Sequence, residues 1–196
     1  MAATDFGLAM RVYLAGPDVF LPDPQARADR LKAICAAHGL FGVSPLDPVP
    51  SEPAAWSALS PAMRIARCNE AHIASCDALI ANLTPFRGPS ADPGTVFEMG
   101  FMRALGRPVF GWTNSDAPFA ARTRDFTGAA GERDADGLLI EDFAGMTDNL
   151  MIDAAIEASG GTLEIDRCPP GERWLRLDAF ARCVLALGGV PAQLRA

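Results

Sequence analysis

The chain has 196 residues, of which 49% are hydrophobic, and its formal net charge is −7 at pH 7. This length and apolar content predict a single folded domain with a sizeable core and exclude a wholly disordered chain. The acidic balance and the lack of any run of Lys and Arg argue against binding a nucleic acid polymer through charge. A small neutral substrate is the expected partner.

The sequence contains no apolar run long enough to span a membrane, and its first ten residues lack the basic start and apolar centre of a signal peptide. We therefore expect no membrane association and a cytoplasmic location. The five cysteines are scattered without a C-x-x-C pair, and the two histidines, His38 and His72, are not at metal-binding spacing. The sequence predicts neither a disulfide framework nor a metal site.

The first predicted strand covers 10–15 and ends at Gly16-Pro17. Ligands in open α/β sheets lie beyond the carboxyl ends of the strands, so this end is a candidate binding edge. The residues placed there are Tyr13, Gly16, Asp18 and Phe20. For Tyr13 and Phe20, packing in the core explains the pattern as well as contact with a ligand does.

A helix is predicted over 23–38, stopped by Gly39, and a short strand over 40–43. The side chains of this helix expected to face inward are Ala26, Leu31, Ile34 and Cys35. The prolines of the following loop, 44–60, predict an absence of regular structure, and a loop of this length in a compact domain is often a substrate lid. Trp56 in this loop is either a stacking surface for a ligand or an anchor to the core.

The middle of the chain predicts a helix over 61–75 and then a strand–helix–strand unit. Buried strands are predicted over 78–83 and 108–113. The helix between them carries an anomaly at Glu98. Because Phe101, Met102 and Leu105 follow it at i+3, i+4 and i+7, its carboxylate lies on the apolar stripe that should face the sheet.

Two starts of this helix explain Glu98 differently. In the first, Thr95 is the N-cap and Glu98 completes a capping box three residues later, which makes Glu98 structural. In the second, Asp92 is the N-cap and Pro93 the first helical residue, which places Glu98 in the second turn, facing the sheet. Spacing alone leaves both alternatives open.

The segment 115–137 is polar and rich in Gly, Asp and Arg, which is typical of an exposed excursion at the ligand end of the sheet. A short edge strand is predicted over 138–143, and a helix capped by Thr147 is predicted to run through Ala158. The C-terminal part, 171–196, predicts a helical extension that packs on the same core or on a partner subunit. Its apolar stripe consists of Leu175, Phe180, Val184 and Leu187.

Several of these segments resemble the nucleoside 2-deoxyribosyltransferases, whose wider superfamily includes the deoxynucleotide N-hydrolases. The resemblance is dense over 69–113, which contains D-A-L-I-A-N-L-T-P-F-R-G and D-P-G-T-V-F-E-M-G. Tyr-Leu-Ala-Gly at 13–16 and Asn-Leu-Met at 149–151 extend it. The predicted architecture is one flavodoxin-like α/β domain over 1–196, with five mainly parallel strands in the order 2-1-3-4-5 and helices on both faces.

The resemblance implies an enzyme that cleaves the N-glycosidic bond of a 2'-deoxynucleoside and transfers the deoxyribosyl group to a free nucleobase, without a cofactor. Glu98 would attack C1' to form a covalent intermediate, and Asp92 would protonate the leaving base and deprotonate the incoming one. We expect the helix N-terminus to keep Glu98 ionised and the neighbouring like charge to raise the pKa of Asp92.

The substrate-binding residues that the resemblance implies are Tyr13, Gly16, Asp18, Phe20, Asn69, Gly94, Asn149 and Met151, with the Tyr and Phe holding the nucleoside. Relatives often have Asp where Asn69 stands; an Asn can form hydrogen bonds but cannot transfer a proton, so an acid role falls on Asp92. Asn149 and Met151 are expected to reach the 5'-hydroxyl side of the sugar in a neighbouring subunit. This predicts a homodimer or higher homo-oligomer with shared active sites.

The resemblance leaves the substrate open in several respects. Some relatives place a Gln in the lid loop to read the base, whereas this chain offers Asp47, Pro48 and Val49, so no base preference is implied. The carboxylate of Asp18 after the first strand disfavours a 5'-monophosphate. Two alternative functions remain: an N-hydrolase that uses the same Glu98, and a non-catalytic nucleotide-sensing domain on the same fold.

Overall fold

The fold is an α/β sandwich built on one parallel sheet. A computed structural model describes residues 9–49 and 53–189; the centre of the predicted lid loop and the end of the C-terminal extension lie outside these residues. The strands are β1 Arg11–Ala15, β2 Phe41–Val43, β3 Ala78–Asn82, β4 Val109–Thr113 and β5 Leu163–Ile165. They pair in parallel in the order β2-β1-β3-β4-β5, which confirms the predicted fold and strand order.

Helices cover both faces of the sheet. The helices are α1 Pro24–Ala37, α2 Pro61–Ala74, α3 Pro93–Ala104, α4 Phe119–Thr127, α5 Leu150–Ala158 and α6 Asp178–Gly188. One hydrophobic core lies between the sheet and α1 and α6, and a second lies between the sheet and α2, α3 and α5. Side chains alternate along β1, so Val12 and Leu14 join the first core and Tyr13 joins the second. Tyr13 therefore faces the same side as the helix that carries Glu98.

The N-caps of the helices explain where they begin. Asp23 accepts from the Ala26 amide in α1, and Ser60 accepts from the Met63 amide in α2. Proline occupies the first helical position of α1, α2 and α3, where its missing N–H has no partner to lose. The predicted cap of α5 at Thr147 is wrong, because the helix begins at Leu150 and its N-cap is Asn149.

The segment after β4 departs most from the sequence prediction. The expected exposed excursion contains α4, which follows Pro118 and ends at Gly128 in the left-handed conformation, φ 69°. Proline is common just before a helix and glycine just after one, but the polar composition of 115–137 favoured an irregular segment. The predicted edge strand over 138–143 is absent from the described residues, where Leu139 forms only an isolated bridge with Arg133. The fifth strand lies after α5 instead, since a parallel strand needs a crossover helix to reach the sheet edge.

Three smaller predictions are also wrong. The lid loop contains a short 3₁₀ helix, Ala54–Ala58, which begins after Pro53 and includes no proline. Ala26 is exposed and Ala28 is buried in its place on α1. Leu175 is 63% exposed because α6 begins only at Asp178, whereas Phe180, Val184 and Leu187 are buried as expected. No helix in the described part of the chain is long and apolar enough to cross a membrane.

Candidate active site

Glu98 is the centre of a small polar cluster beneath the N-terminal half of α3. Its Oε1 accepts a hydrogen bond from the Tyr13 hydroxyl at 2.7 Å and another from Asn69 Nδ2 at 3.2 Å. These donors come from β1 and α2, so three separate elements meet at one carboxylate. No described residue donates a hydrogen bond to Oε2. The carboxylate is therefore oriented through one oxygen, which leaves the other available for chemistry.

The start of α3 decides between the two explanations of Glu98. Asp92 Oδ2 accepts from the Thr95 amide at 2.9 Å and from the Thr95 hydroxyl at 3.1 Å, and Pro93 is the first helical residue. Thr95 lies inside the helix, so it is not the N-cap and the capping-box explanation is wrong. Glu98 is left in the second turn, facing the sheet, without a structural role at the helix start.

Burial controls the proton affinity of Glu98. Desolvation raises the pKa of Glu98 to about 7, and the charge of Asp92 adds to this, while the hydrogen bonds from Tyr13 and Asn69 lower it. Desolvation therefore acts against the help toward ionisation that the helix N-terminus was expected to give Glu98. Burial and the neighbouring charge raise the pKa of Tyr13 far above its usual range. Tyr13 therefore remains a hydrogen-bond donor at every pH at which Glu98 titrates.

Asp92 is the N-cap of the helix that carries Glu98. Its side chain is half-buried, and its charge contributes to the raised pKa of Glu98. A Cβ at position 94 would lie 3.0 Å from Asp92 Oδ2, so Gly94 provides the room that this carboxylate occupies. Both carboxyl groups are thus partly buried and close to one helix start. That arrangement suits a nucleophile and a proton donor acting on one bond.

The loop after β1 is rigid. Asp18 forms an ion pair with Arg27 Nε at 2.7 Å and accepts from Asn82 Nδ2 at 2.9 Å. A Cβ at Gly16 would lie 2.7 Å from both Asn82 Cβ and Asp18 Oδ2, so only glycine fits there. Both oxygens of Asp18 are engaged and its charge is offset by Arg27. Arg27 therefore reduces the repulsion that Asp18 would exert on a 5'-phosphate.

Phe20 belongs to an aromatic cluster at the same edge of the sheet. It is 59% exposed and stacks on Phe86, with ring centroids 5.4 Å apart and an interplanar angle of 18°. Trp174 meets the edge of Phe86 at 6.5 Å, and the Arg87 guanidinium lies over both phenylalanine rings at 5.2 and 4.5 Å. The sequence indicated Phe20 only. No pattern in the sequence placed Trp174, which belongs to the C-terminal part of the chain, near the end of β1.

Asn149 and Met151 lie at the start of α5, apart from the Glu98 cluster. The side-chain amide of Asn149 is engaged at both ends within the chain, since Oδ1 accepts from the Met151 backbone N–H at 3.0 Å and Nδ2 donates to Glu141 Oε2 at 2.7 Å. Met151 is 69% exposed. Both residues line an apolar groove of about 840 Å³ between α3 and α5, which also reaches Pro93, the residue after Asp92. Asn149 is thus a cap and a tether, and Met151 has the freer side chain.

The lid loop, 44–60, lies beside α2, the helix that carries Asn69. Asp47 anchors this loop: it forms an ion pair with Lys32, accepts from the Ser44 amide at 2.9 Å, and its carbonyl oxygen lies 2.9 Å from His72 Nε2. A cavity of about 360 Å³ between the loop and α2 is lined by Asp47 and Asn69, among others. No group of three or more His, Cys, Asp or Glu side chains in the described residues could hold a metal ion.

Comparison with known proteins identifies the class. The model of the nucleoside 2-deoxyribosyltransferase family matches residues 12–151. An uncharacterised protein of Schizosaccharomyces pombe is 32% identical over 171 residues, which cover 79% of this chain and 81% of that protein. A 2-deoxyribosyltransferase from Leishmania mexicana is also 32% identical, with a TM-score of 0.57 and coverage of 73% of this chain and 85% of that one. A conserved protein of Enterococcus faecalis, 17% identical with a TM-score of 0.57 and coverage of 91% and 99%, shares the fold.

The fold and these matches together indicate an enzyme that acts on nucleosides, with deoxyribosyltransferase-type activity. The chain belongs to the nucleoside 2-deoxyribosyltransferase family. This confirms the resemblance that the motifs around Asp92 and Glu98 indicated.

Proposed function

We propose that this protein cleaves the N-glycosidic bond of 2'-deoxynucleosides through a covalent intermediate on Glu98 and transfers the deoxyribosyl group to an acceptor base. The observation that carries this proposal is the geometry of the Glu98 carboxylate. Tyr13 and Asn69 both bond to Oε1, and Oε2 has no donor among the described residues. A half-buried glutamate held by one oxygen on an apolar helix face is costly for folding and suits a nucleophile.

In the first half of the reaction, Glu98 Oε2 attacks C1' of the deoxyribose. The electron pair of the C1'–N bond passes to the leaving base, and Asp92 donates a proton to that base. An ester bond between Glu98 and C1' holds the sugar. The negative charge of Glu98 is consumed in this step, so Glu98 must be ionised beforehand, which at a pKa of about 7 is the case for about half of the molecules at pH 7.

In the second half, Asp92, now ionised, removes a proton from the acceptor base as a ring nitrogen of that base attacks C1'. The Glu98–C1' bond breaks and its electron pair returns to the carboxylate, which Tyr13 and Asn69 again stabilise. An amide is neither acidic nor basic enough to act as a general acid or base near neutral pH, so Asn69 orients Glu98 without sharing the acid role. Water in place of the base would complete the same step as hydrolysis.

We also propose that the active enzyme is a homo-oligomer in which the start of α5 contacts a neighbour's site. Two features of the surface support this proposal: the 69% exposure of Met151 and the apolar groove beside it, which is continuous with Pro93. Exposed Phe97 on α3 adds apolar area to the same side of the molecule. A large apolar surface of this kind on a folded domain commonly marks an interface. Because the Asn149 amide is engaged within its own chain, we assign the neighbour contact to Met151 first.

The test of the proposed function is incubation of the protein with deoxyinosine and adenine, followed by chromatography of the products. A transferase yields deoxyadenosine together with free hypoxanthine. An N-hydrolase yields hypoxanthine and free deoxyribose without deoxyadenosine. If neither substrate changes while deoxyinosine still binds, the protein is a nucleoside-binding domain and the proposal is wrong.

A further inference from the structure

A buried ion pair outside the Glu98 cluster holds the segment that leads into Asp92. Asp148, the residue before the N-cap of α5, has a side chain that is 0% exposed. It accepts hydrogen bonds from the Ser90 hydroxyl and, at 3.0 Å, from the Ala91 amide. These two residues directly precede Asp92. One carboxylate thus fixes the last two residues before the proposed acid.

Arg122 on α4 completes this support. Its guanidinium donates from Nε to the Pro89 carbonyl at 2.7 Å and from Nη2 to the Thr147 carbonyl at 2.8 Å, and Nη2 also lies 3.4 Å from Asp148 Oδ2. The Arg122 side chain is only 10% exposed. Its planar donors therefore join the segment before α3 to the segment before α5. The function of Glu98 and Asp92 as described above uses neither residue of this pair.

We propose that Asp148 and Arg122 are positioning residues that set the place of the acid, Asp92, relative to the nucleophile, Glu98. This inference rests on the proposed function. The backbone of Asp92 is held from behind through Ala91, and its carboxylate is held from ahead by Thr95. Two contacts therefore set the position of the Asp92 carboxyl group. Only the contact through Ala91 depends on the ion pair of Asp148 and Arg122.

The chemistry of Asp148 requires a carboxylate. Its two oxygens accept from four donors: the Ser90 hydroxyl, the backbone N–H of Ala91, the Arg122 guanidinium and, at 2.8 Å, the backbone N–H of Asn149. An asparagine offers one acceptor oxygen and turns an NH₂ group toward the remaining donors. It would also leave the Arg122 guanidinium buried without its counter-ion. Asp148→Asn is therefore expected to release the 89–91 segment even though the side chain keeps its shape.

Displacing a reacting group by about 1 Å can cost about 100-fold in rate, and general acid catalysis contributes about 100-fold or more. A displaced Asp92 should therefore impair substrates whose base must be protonated. It should spare a substrate whose leaving group departs as a stable anion. The inference thus predicts a loss that depends on the leaving group, which a general loss of folding would not give.

The experiment compares deoxyinosine with 4-nitrophenyl 2-deoxyriboside in Asp148→Asn and Arg122→Gln. We expect kcat/KM for deoxyinosine to fall about 100-fold and kcat/KM for nitrophenolate release, which reports only the first half of the reaction, to stay within about threefold of the wild type. Arg124→Gln is the matched control, because Arg124 lies on the same helix in an exposed pair with Asp142 and does not touch the 89–91 segment. The control should leave both rates unchanged.

Equal losses on both substrates, or no loss on either, would overturn the inference. If the two variants fail to fold, Ser90→Ala decides, because it removes one bond to Asp148 and buries no unpaired charge. It should lower kcat/KM for deoxyinosine at least about threefold while leaving kcat/KM for nitrophenolate release unchanged, and a smaller loss on deoxyinosine would refute the role of the segment. A wild-type protein that turns over neither substrate would refute the proposed function instead.

Discussion

The burial of Glu98 predicts a conflict between stability and catalysis that depends on pH. In the folded protein the pKa of Glu98 is about 7, against an ordinary value of 4.5. Below 4.5 the group is protonated in both the folded and the unfolded chain and has no effect. As the pH rises from 4.5 to 7, the unfolded chain releases this proton and the folded chain keeps it, so stability is lost. Above 7 the loss is complete.

The size of this loss follows from the difference in pKa. About 2.5 pH units at 1.36 kcal/mol each give about 3 kcal/mol, as an order of magnitude. Glu98→Gln cannot ionise and still offers an Oε1 to the donors of Tyr13 and Asn69, so it should recover most of this free energy. For a domain of this length about 3 kcal/mol corresponds to about 6–12 °C in Tm. The same change should abolish turnover, because the amide cannot attack C1'.

The assay is thermal or urea-induced unfolding of both proteins at pH 4.5 and at pH 8.5, together with deoxyinosine turnover. Glu98→Gln should be the more stable protein at pH 8.5 and nearly equal to wild type at pH 4.5. Glu157→Gln is the control, because Glu157 is an exposed glutamate on α5 and should show no such difference between the two pH values. A wild-type protein that equals or exceeds Glu98→Gln in stability at pH 8.5 would refute the burial argument.

Three further predictions follow from the same site. Tyr13→Phe removes the hydroxyl that donates to Glu98 at 2.7 Å, and a hydrogen bond to a charged group contributes about 1.5–3 kcal/mol. Its loss should raise the pKa of Glu98 and move the rising limb of the kcat/KM profile from about pH 7 to a pH about 1–2 units higher. An unshifted profile would contradict this. Inosine should be a much poorer substrate than deoxyinosine, since a 2'-hydroxyl destabilises the positive charge that develops on the sugar and adds bulk beside Glu98; equal turnover would contradict it. Inactive Glu98→Ala subunits mixed with inactive Met151→Ala subunits should regain activity on exchange, because hybrids contain one intact shared site; no recovery despite demonstrated exchange, or an active monomer, would refute shared sites.

The parts of the fold that the sequence predicted well are those with strong local signals. Asp92-Pro93 marked the start of α3, and the period of the apolar residues placed Glu98 toward the sheet, where Tyr13 meets it. The parallel order followed from the alternation of strands and helices. The helix after β4 was missed because its composition is polar, although Pro118 and Gly128 bounded it.

Other features depend on contacts between distant segments and carry no local signal. Arg27 is a charged residue in the first turn of α1, and only the fold reveals that it is buried against Asp18. Asp148 stands beside the Asn-Leu-Met motif, and its bonds to the segment before Asp92 span 57 residues or more. The raised pKa of Glu98 has the same origin, since the position of a helix N-terminus can be inferred from the sequence and the extent of desolvation cannot.

The covalent intermediate is the central claim, and rapid acid quenching with mass spectrometry tests it most directly. Wild-type protein mixed with deoxyinosine in the absence of an acceptor base is quenched during turnover, and the intact mass and the peptides are measured. The account predicts a mass increase of one deoxyribosyl group on the peptide that contains Glu98, and none in Glu98→Gln. Turnover by an enzyme that remains unmodified throughout, or an adduct on a peptide without Glu98, would contradict it.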